Sequence, residues 1–565
     1  MGSASVSSAP WTRRISRIAS TVEGSFAHER LLAFVLALIA AAIAFEPRIT
    51  AGGFNADDWA LYAAIKFPQS AGFHSAFDAL HSAAGSRAGH MVYWLVSFSL
   101  FGSHSKLYTA MAALLAVFLA CSVYLLLREL RFSVGQSLAM MILTIVSPSV
   151  ETMRFWFTVG GLQICLALFF LGLTLALRAF AAPEERRLKL HAASWGLYLA
   201  SAVYAETALP LMVVCILVYL TQASFVASLR RWALDMVIVV VGYLATLSFV
   251  SSHAGFGKLP SSMWLKHVNL IAGQALTIFT RMLGPLSADD RTLGLAGVGV
   301  LATACFVLWR RGSIAASSQR ELQRWGLTFL VCLATIVAVY TVFVPAMLYY
   351  DPLDLGLATH INSATAAPLA VGVFAVLMLT KVVCVELFDG LVPRIGYIVM
   401  VLVVSWYVVI AADSMKSVRS DAHIWALAAA KDYHVLHVLT TDLPRPVHNA
   451  TVYTFGEAGT VAIGMPIFFV WWEQNSAVKI AYNRPDLSSY PIVADGLQPT
   501  CTAKGVTASL ESVIVNSPSP YGRLYFLDIA SGHFERINSA TACAAALSQF
   551  PMGPYTISMP LEWST

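Results

Sequence analysis

Two adjacent carboxylates, Asp57 and Asp58, occupy the first polar stretch behind an apolar run, in the sequence GGFNADDWALY at residues 52–62. One carboxylate there can act as a general base on an acceptor hydroxyl, and the pair also suits a divalent cation. The alternative is helix capping: with Asn55 as the N-cap, both acids fall in the first turn, where the helix dipole favours negative charge. Neighbouring helical residues point about 100° apart. We therefore expect one acid to face a site and the other to cap.

The chain that positions these acids is predicted to be a polytopic α-helical membrane protein. Hydrophobic residues make up 58% of its 565 residues and charged residues only 12%, which excludes a soluble enzyme. Runs of at least about 18 apolar residues are needed to cross a hydrocarbon layer about 30 Å thick. Such runs predict eleven spans, at residues 31–48, 106–127, 134–149, 159–180, 190–205, 208–223, 233–252, 292–309, 325–345, 364–381 and 394–411.

Basic residues in the short connections indicate the orientation, because Lys and Arg prefer the cytoplasmic side. With eleven spans, the basic clusters all fall before the first span or in even-numbered connections. One long helix over 190–223 would reverse everything downstream. The clusters are Arg13, Arg14 and Arg17; Arg128 and Arg131; Arg186, Arg187 and Lys189; Arg230 and Arg231; Arg310 and Arg311; Arg320 and Arg324; and Lys381.

This topology divides the chain into three parts. Residues 1–30 are expected to be a cytoplasmic segment, residues 31–411 the transmembrane module and residues 412–565 a domain on the opposite side of the membrane. The first span lacks a small-residue cleavage site, so we interpret it as a retained helix rather than a signal peptide. Long outer connections at 49–105, 253–291 and 346–363 favour chemistry or binding at the outer face.

From about residue 412 the apolar runs shorten, and turn residues separate strand-like segments at 451–455 and 524–529. Residues 418–440 have an amphipathic helical pattern. The region is therefore predicted to be a small α/β or α+β domain. Cys501 and Cys543 are its only cysteines, and outside the cytoplasm they are expected to form a disulfide. Two buried free thiols are the alternative.

Several classes of function are disfavoured by what the sequence lacks. We find no repeat of the helix pattern between the two halves and no charged row within the spans, which weighs against many secondary transporters and against a proton relay. No Cys and His metal cluster, phosphate-binding glycine loop or nucleic-acid signature is present in the sequence. The remaining chemistry lies at the outer ends of the spans.

The stretch DWALY at 58–62, followed by HMVYWLVSFSLFG at 90–102, resembles the first-loop signature of polytopic membrane glycosyltransferases of the GT-C fold. It is most similar to the bacterial aminoarabinose transferase and protein O-mannosyltransferase group. Those enzymes have an acidic residue with a Tyr four positions later, then a juxtamembrane helix that ends in Leu-Phe-Gly. Asp58 and Tyr62 match this spacing. The resemblance makes Asp58 the first choice for the catalytic position and Asp57 the second.

Two further stretches are similar to the same group. YAETALP at 204–210 resembles a tight outer turn that bears Lys or Glu before a Pro, which points to Glu206. Residues 357–368 contain His360 where relatives often have Arg. The Lys-Pro-Pro that often precedes Tyr-Trp is replaced by Ala-Gly-His, which ends in His90. The layout resembles the group over about residues 31–410.

The resemblance implies an inverting transfer of a sugar from a polyprenyl-phosphate donor to a glycan, lipid or protein acceptor at the outer face of a bacterial inner membrane. Such a donor needs a groove for its lipid, cations for the leaving phosphate and one carboxylate base. Arg281 follows an apolar stretch that could lie on the membrane surface near a phosphate. Pairing with lipid headgroups is its plainer role. The other substrate-binding candidates are Trp59, Tyr62, His90, Glu151, Arg154, Glu206, Lys258 and His360.

Some alternatives stay open. Glu151 and Arg154 are spaced to form a simple salt bridge on a helix surface. At the level of function, the alternatives are a polysaccharide polymerase or ligase, a flippase for lipid-linked sugars and a noncatalytic assembly protein. Substitution of Asp58 separates glycosyltransfer from these, and removal of residues 415–565 is the sensitive test of an assembly role.

Overall fold

The computed structural model describes residues 10–85, 87–148, 150–249, 261–284, 291–311, 316–344, 355–388, 394–457, 459–462, 464–468, 471–494, 496–510 and 513–554. Helices dominate as far as residue 442. They are α1 Pro10–Ala51, α2 Asp57–Lys66, α3 Ala76–Ala84, α4 Ala88–Phe101, α5 Ser105–Glu129, α6 Val134–Ile145, α7 Thr152–Phe155, α8 Gly161–Ala181, α9 Glu184–Tyr204, α10 Ala208–Tyr219, α11 Phe225–Phe249, α12 Trp264–Arg281, α13 Arg291–Arg311, α14 Ala316–Thr341, α15 Ala366–Phe388 and α16 Ile395–Asp442. Short 3₁₀ turns occur at Pro68–Ala71, Phe157–Val159, Ser261–Met263 and Leu357–Thr365.

A helix lies over each of the eleven predicted spans, and the chain is a multi-pass α-helical membrane protein. The uncertain pair at 190–223 forms two helices, α9 and α10, so the chain does break there. By length and composition, six helical segments of the described residues can cross a membrane. These are His28–Ala51, Ser105–Glu129, Phe157–Ala181, Ala316–Thr341, Thr359–Phe388 and Ile395–Asp442.

Small residues let the first helix approach its neighbours closely. On α1, one face of Ala is buried while Leu and Ile on the opposite face are exposed, and the buried face packs against α5 and α16. Without a hydrophobic drive between helices in lipid, close packing of small residues provides much of their attraction. The buried residues are Ala33, Ala37, Ala40, Ala41 and Ala44.

Ion pairs and a hydrogen bond join several of the basic connections at one end of the helices. Arg178 pairs with Glu129 at 2.7 Å, and Lys381 pairs with Glu321 at 3.1 Å. The guanidinium of Arg324 donates to the carbonyl oxygen of Arg131 at 3.0 Å, which joins the second connection to the eighth. The eleven-span topology requires these basic connections to lie at the same end of the helices.

Helix α16 extends further than the sequence indicates. It runs unbroken from Ile395 to Asp442, so the predicted span at 394–411 and the predicted helix at 418–440 are one element. Residues on one stripe of its second half are buried at helical spacing, among them Asp421, Trp425 and Asp432. This stripe brings α16 against the first loop and the C-terminal region.

The C-terminal region is a small α/β domain. Its main sheet has the order β4-β1-β8-β9, with β1 parallel to both β4 and β8 and with β9 antiparallel. The two predicted strands correspond to β1 and β8. A separate three-stranded sheet, β5-β6-β7, lies beside it. The elements are β1 Thr451–Phe455, β2 Thr460–Ala462, β3 Met465–Pro466, α17 Trp471–Tyr482, β4 Ser488–Pro491, β5 Gln498–Thr502, β6 Gly505–Leu510, β7 Val513–Ile514, β8 Leu524–Asp528, β9 Phe534–Ile537 and α18 Ala540–Leu547.

A disulfide joins Cys501 on β5 to Cys543 on α18, with the Cα atoms 6.1 Å apart. This is the predicted pairing. The bridge ties the three-stranded sheet to the last helix of the domain, across a sequence separation of 42 residues.

Candidate functional site

The first loop is held in a fixed conformation by a buried arginine. Arg48, near the end of α1, donates to the carbonyl oxygen of Gly53 and to Asn55 Oδ1, both at 2.9 Å. Gly53 has φ +105°, and a Cβ atom added to it would lie 2.4 Å from Ala429 Cβ on α16. A side chain here would therefore strain the backbone and push the loop away from α16.

Asp58 is fully buried at the start of α2, with 0% of its surface exposed. Its Oδ1 accepts hydrogen bonds from Thr158 N at 2.9 Å and Thr158 Oγ1 at 2.6 Å. Burial raises the pKa of Asp58 to about 6, although the bonds from Thr158 and Asn55 oppose the shift. The carboxylate is thus held out of water by a residue one hundred positions later in the chain.

The capping interpretation needs a correction in detail. The N-cap of α2 is Ala56, with φ 50° and no side-chain cap, and not Asn55 as expected. Asp58 Oδ2 instead accepts from the backbone N–H of Asn55 at 3.2 Å. Asp58 therefore supports the helix start with one oxygen and binds Thr158 with the other. The helix-start role therefore belongs to Asp58 itself and not to the second acid, while its catalytic role stays a prediction.

Asp57 points in a different direction from its neighbour. Its Oδ1 accepts from the indole Nε1 of Trp472 on α17 at 3.1 Å, and burial raises its pKa. Asp58 binds within the membrane module, whereas Asp57 binds the C-terminal domain. The angle between successive helical residues accounts for this division.

Two more carboxylates adjoin this place from the C-terminal side. Asp432 on α16 is buried, accepts from Trp59 Nε1 at 3.4 Å, and has no hydrogen bond at Oδ1 in the described part of the chain. Glu473 on α17 is 2% exposed. Burial, with the charges of Asp432, Asp57 and Asp58, raises the pKa of Glu473 well above its ordinary value. We call these four residues the acidic cluster.

The sequence analysis missed Asp432 and Glu473. One signal was available for Asp432, because it lies eleven positions after Asp421 on the buried stripe of an amphipathic helix. Carboxylates on the apolar face of a helix are rarely placed there without a partner or a role. Glu473 has no comparable signal, since its burial depends on how α17 packs against α2.

The two aromatic candidates of the first loop are packed against other rings. Trp59 is 2% exposed, and its ring centroid lies 5.1 Å from that of Phe54 and 5.4 Å from that of Tyr433. Tyr62 stacks on Phe98 with ring centroids 5.5 Å apart. Both residues form part of the wall of the loop. Trp59 also borders a cavity between the first loop, α16 and α17.

Glu151 begins a second polar group. Its Oε1 accepts from Gly356 N at 3.0 Å and Thr359 Oγ1 at 3.1 Å, and its Oε2 has no partner among the described residues. Burial and the nearby Asp421 raise the pKa of Glu151 to about 8. The alternative of a simple salt bridge with Arg154 is wrong, because that guanidinium donates to main-chain carbonyls of residues 144 and 147.

Arg281 lies at the end of α12 and faces inward against α16. It donates to Ser417 Oγ at 2.6 Å and lies 3.9 Å from Asp421 Oδ1. The other face of α12 exposes apolar side chains, including Leu265. An apolar outer face above an inward cation is the pattern expected of a helix at a membrane surface.

The remaining candidates form a third group. Arg87 donates to both carboxylate oxygens of Glu206, one at 3.0 Å. Burial raises the pKa of Glu206, but the charge and hydrogen bonds of Arg87 lower it further, and the resulting pKa is about 2. His90 Nδ1 lies 2.6 Å from the Tyr204 carbonyl oxygen, and burial lowers its pKa to about 3. His360 Nδ1 lies 2.9 Å from a carbonyl of its own turn.

A single short segment, residues 151–161, connects the three groups, and we call it the hub segment. It supplies Glu151 to the second group and Thr158 to Asp58. The carbonyl of Thr158 accepts from Trp94 Nε1 at 3.0 Å, and a Cβ on Gly161 would lie 2.9 Å from His90. Glu151, Asp58 and His90 therefore lie around one turn of the chain, the hub segment. Lys258 lies outside the described residues.

An apolar cavity of about 310 Å³ lies between α5, α8, α10, α14 and α15. Its lining on α14 runs from Arg324 to Thr335, about 16 Å along the helix axis at about 1.5 Å per residue. Leu, Val and Phe side chains make up most of the wall, and its polar members are Gln222, Arg324 and three threonines, Thr221, Thr328 and Thr335. Its length and lining suit a hydrocarbon chain.

The described residues do not include a group of three or more His, Cys, Asp or Glu arranged to hold a metal ion. Both oxygens of Asp58 already accept hydrogen bonds from Thr158 and Asn55. Asp57 and Asp58 also bind different partners, so as a pair they do not fit the divalent cation that their adjacency suggested.

No family model and no curated protein match the sequence. Among solved structures, the chain is similar to ArnT from Cupriavidus metallidurans, with 13% identity and a TM-score of 0.42 over 83% of this chain and 86% of that one. It is also similar to the archaeal oligosaccharyltransferase AglB from Archaeoglobus fulgidus in complex with an inhibitory peptide and a dolichol-phosphate. That match has 10% identity and a TM-score of 0.39, and covers 81% of this chain. The chain spans only 64% of the oligosaccharyltransferase.

Proposed function

We propose that this chain is an inverting membrane glycosyltransferase that moves a sugar from a polyprenyl-phosphate donor to an acceptor hydroxyl at the outer face of a bacterial inner membrane. Its N-terminus lies in the cytoplasm and its C-terminal domain lies outside. The gathering of basic connections at one end, with the first loop and the C-terminal domain in contact, supports this orientation.

The observation that carries the proposal is the environment of Asp58. A buried carboxyl with its pKa near 6 is mostly ionised at neutral pH and is a stronger base than an exposed carboxylate. Its position and the Tyr four residues later are those of the first-loop signature. An acceptor hydroxyl that took the place of the Thr158 hydroxyl would meet Asp58 Oδ1 directly.

The reaction then proceeds as one displacement. The acceptor O–H passes its proton to Asp58 Oδ1 as its oxygen forms a bond to the anomeric carbon. The bond from that carbon to the phosphate oxygen breaks, and polyprenyl phosphate leaves with the electron pair. Cations are needed to stabilise this leaving group. Arg281, the candidate from the sequence, lies beside Asp421 and about 16 Å along α16 from the acidic cluster, so it does not supply that charge in this conformation.

The apolar cavity supports a lipid-linked donor. It lies among helices that cross the membrane and has a wall of Leu, Val and Phe, so a polyprenyl chain would leave water on entering it. The same cavity is also compatible with a flippase, which would bind the donor and break no bond. The flippase is therefore the alternative that an experiment must separate from transfer.

Transfer of radiolabelled sugar from polyprenyl-phosphate donors in proteoliposomes tests the proposal. Asp58→Asn removes the base but keeps an oxygen that can accept from Thr158, and Asp57→Asn is the matched control on the next residue. Loss of transfer in the first variant only, with both variants folded, supports Asp58 as the base. A chelator arm tests whether transfer depends on a metal ion.

Either of two results would count against the proposal. Transfer that survives in Asp58→Asn would move the chemistry elsewhere and leave Asp58 as a structural residue of the loop. Donor lipid that crosses the bilayer without any sugar transfer, equally in wild type and variant, would favour the flippase.

A further inference from the structure

A second cavity, of about 340 Å³, lies between the first loop, α16 and α17, and we call it the junction pocket. Phe54 and Trp59 contribute to its wall from the first loop, and Tyr433 from α16. Tyr433 is 40% exposed, so its ring is open to an entering molecule. The pocket is therefore formed jointly by the membrane module and the C-terminal domain.

Polar groups lie among these rings. Ser103, His437 and Thr440 line the pocket, and both Ser103 and His437 are exposed. Hydroxyl and imidazole groups can donate and accept hydrogen bonds. A flat apolar ring face beside such groups matches a pyranose, which has an apolar C–H face and a rim of hydroxyls. The volume also falls in the range of small-molecule sites, roughly 300–1,000 Å³.

The charges around the pocket indicate which substrate it would take. Among its described lining residues there is no Lys or Arg, while the buried Asp432 lies directly behind Trp59. An anionic ligand would lack a partner there and would be repelled by any ionised member of the acidic cluster. The donor phosphate is therefore a poor occupant, and an uncharged sugar is a good one.

We infer that the junction pocket binds an uncharged pyranosyl unit of the acceptor. That the bound sugar belongs to the acceptor rests on the proposed function. The binding of a sugar in this pocket does not depend on it. Trp59, the residue after Asp58, packs against Tyr433, so a sugar on the exposed Tyr433 ring lies one ring away from the turn that holds the proposed base. The C-terminal domain would then act in acceptor recognition through His437 and Thr440 at the end of α16.

A labelling experiment tests sugar binding without any need for transfer. Ser103→Cys places a thiol on the pocket rim with little change in size, and Ser70→Cys places one on an exposed serine elsewhere in the same outer loop. A hydrophilic maleimide is reacted with each full-length variant in detergent. The probes are methyl β-D-glucopyranoside, methyl α-D-mannopyranoside and methyl N-acetyl-β-D-glucosaminide, with glucose 6-phosphate as the charged comparison.

We expect at least one neutral pyranoside to slow labelling of the Ser103→Cys variant about threefold at twice its Kd, since protection follows 1 + [L]/Kd. Labelling of the Ser70→Cys variant should be unchanged, and glucose 6-phosphate should protect less. Adding Tyr433→Ala should abolish protection, whereas Tyr433→Phe keeps the ring and should retain it.

The inference would be overturned if none of the neutral pyranosides protected the Ser103→Cys thiol, or if both thiols were protected equally. In the transfer assay, His437→Ala should raise the acceptor KM more than it changes kcat. The control is His434→Ala, an exposed histidine on the same helix that does not line the pocket. Protection without any detectable transfer would support the pocket as a sugar site and count against the proposed reaction.

Discussion

Glu473 offers a direct test of whether the acidic cluster is a source of strain between the C-terminal domain and the first loop. Its carboxyl is 2% exposed and faces Asp432, Asp57 and Asp58. In the described part of the chain, no cation forms an ion pair with it. The Arg48 guanidinium acts on Asp58 and Asp432 and is engaged by the first loop. Ionisation of Glu473 would therefore lower the stability of the folded state.

The sign of the pH dependence follows from the raised pKa. A carboxyl whose pKa is higher in the folded than in the unfolded state contributes its full stabilisation at pH values below its pKa in the unfolded state. That stabilisation is lost as the pH rises toward the folded pKa. Within this window the loss is about 1.4 kcal/mol for each pH unit. Glu473→Gln removes the titration and keeps the size of the side chain.

We therefore expect Glu473→Gln to flatten the pH dependence of local stability and to make α17 more stable at alkaline pH. The measurement is the free energy of opening of α17 from native-state hydrogen exchange, taken at several pH values. Glu535→Gln, a substitution of the same chemistry on β9 of the same domain, is the control. Parallel pH profiles for wild type and Glu473→Gln would refute the reasoning.

Three further outcomes are expected. Thr158→Val removes a hydrogen bond that favours ionised Asp58, so its pKa should rise further and the acid limb of the pH–rate profile should move to higher pH. Cys501→Ser should lower the stability of the C-terminal domain by about 2–4 kcal/mol, measured as faster proteolysis of that domain. Gly53→Ala should disrupt the first loop, detected as lost expression or transfer. Gly72→Ala, with φ +82° but open space around it, should cost only about 1 kcal/mol.

The fold was largely predictable because its strongest determinants are local. Each apolar run long enough to cross a membrane became a helix, and the short pair at 190–223 broke at Ala205 to Thr207 as its sequence indicates. The strands at 451–455 and 524–528 also follow from local pattern. The continuity of α16 was missed because the pattern changes near residue 412 from apolar on all sides to amphipathic, while the backbone continues as helix.

The site was predictable only in part, because its partners are remote in sequence. The first-loop signature led to Asp58, and the polar residues near span ends led to Glu151 and Glu206. Nothing in the sequence pairs Asp58 with Thr158, since that contact depends on how the hub segment packs against α2. The same holds for Glu473, whose burial depends on the docking of α17.

Helix α16 links the two acidic groups. Asp421 lies near Arg281 and Glu151, and Asp432 belongs to the acidic cluster. Eleven residues separate them, which places both on one face, about 16 Å apart along the axis. The hub segment contacts the first loop near one group and supplies Glu151 to the other. A displacement of α16 along its axis would therefore shift the surroundings of Asp58 and Glu151 together.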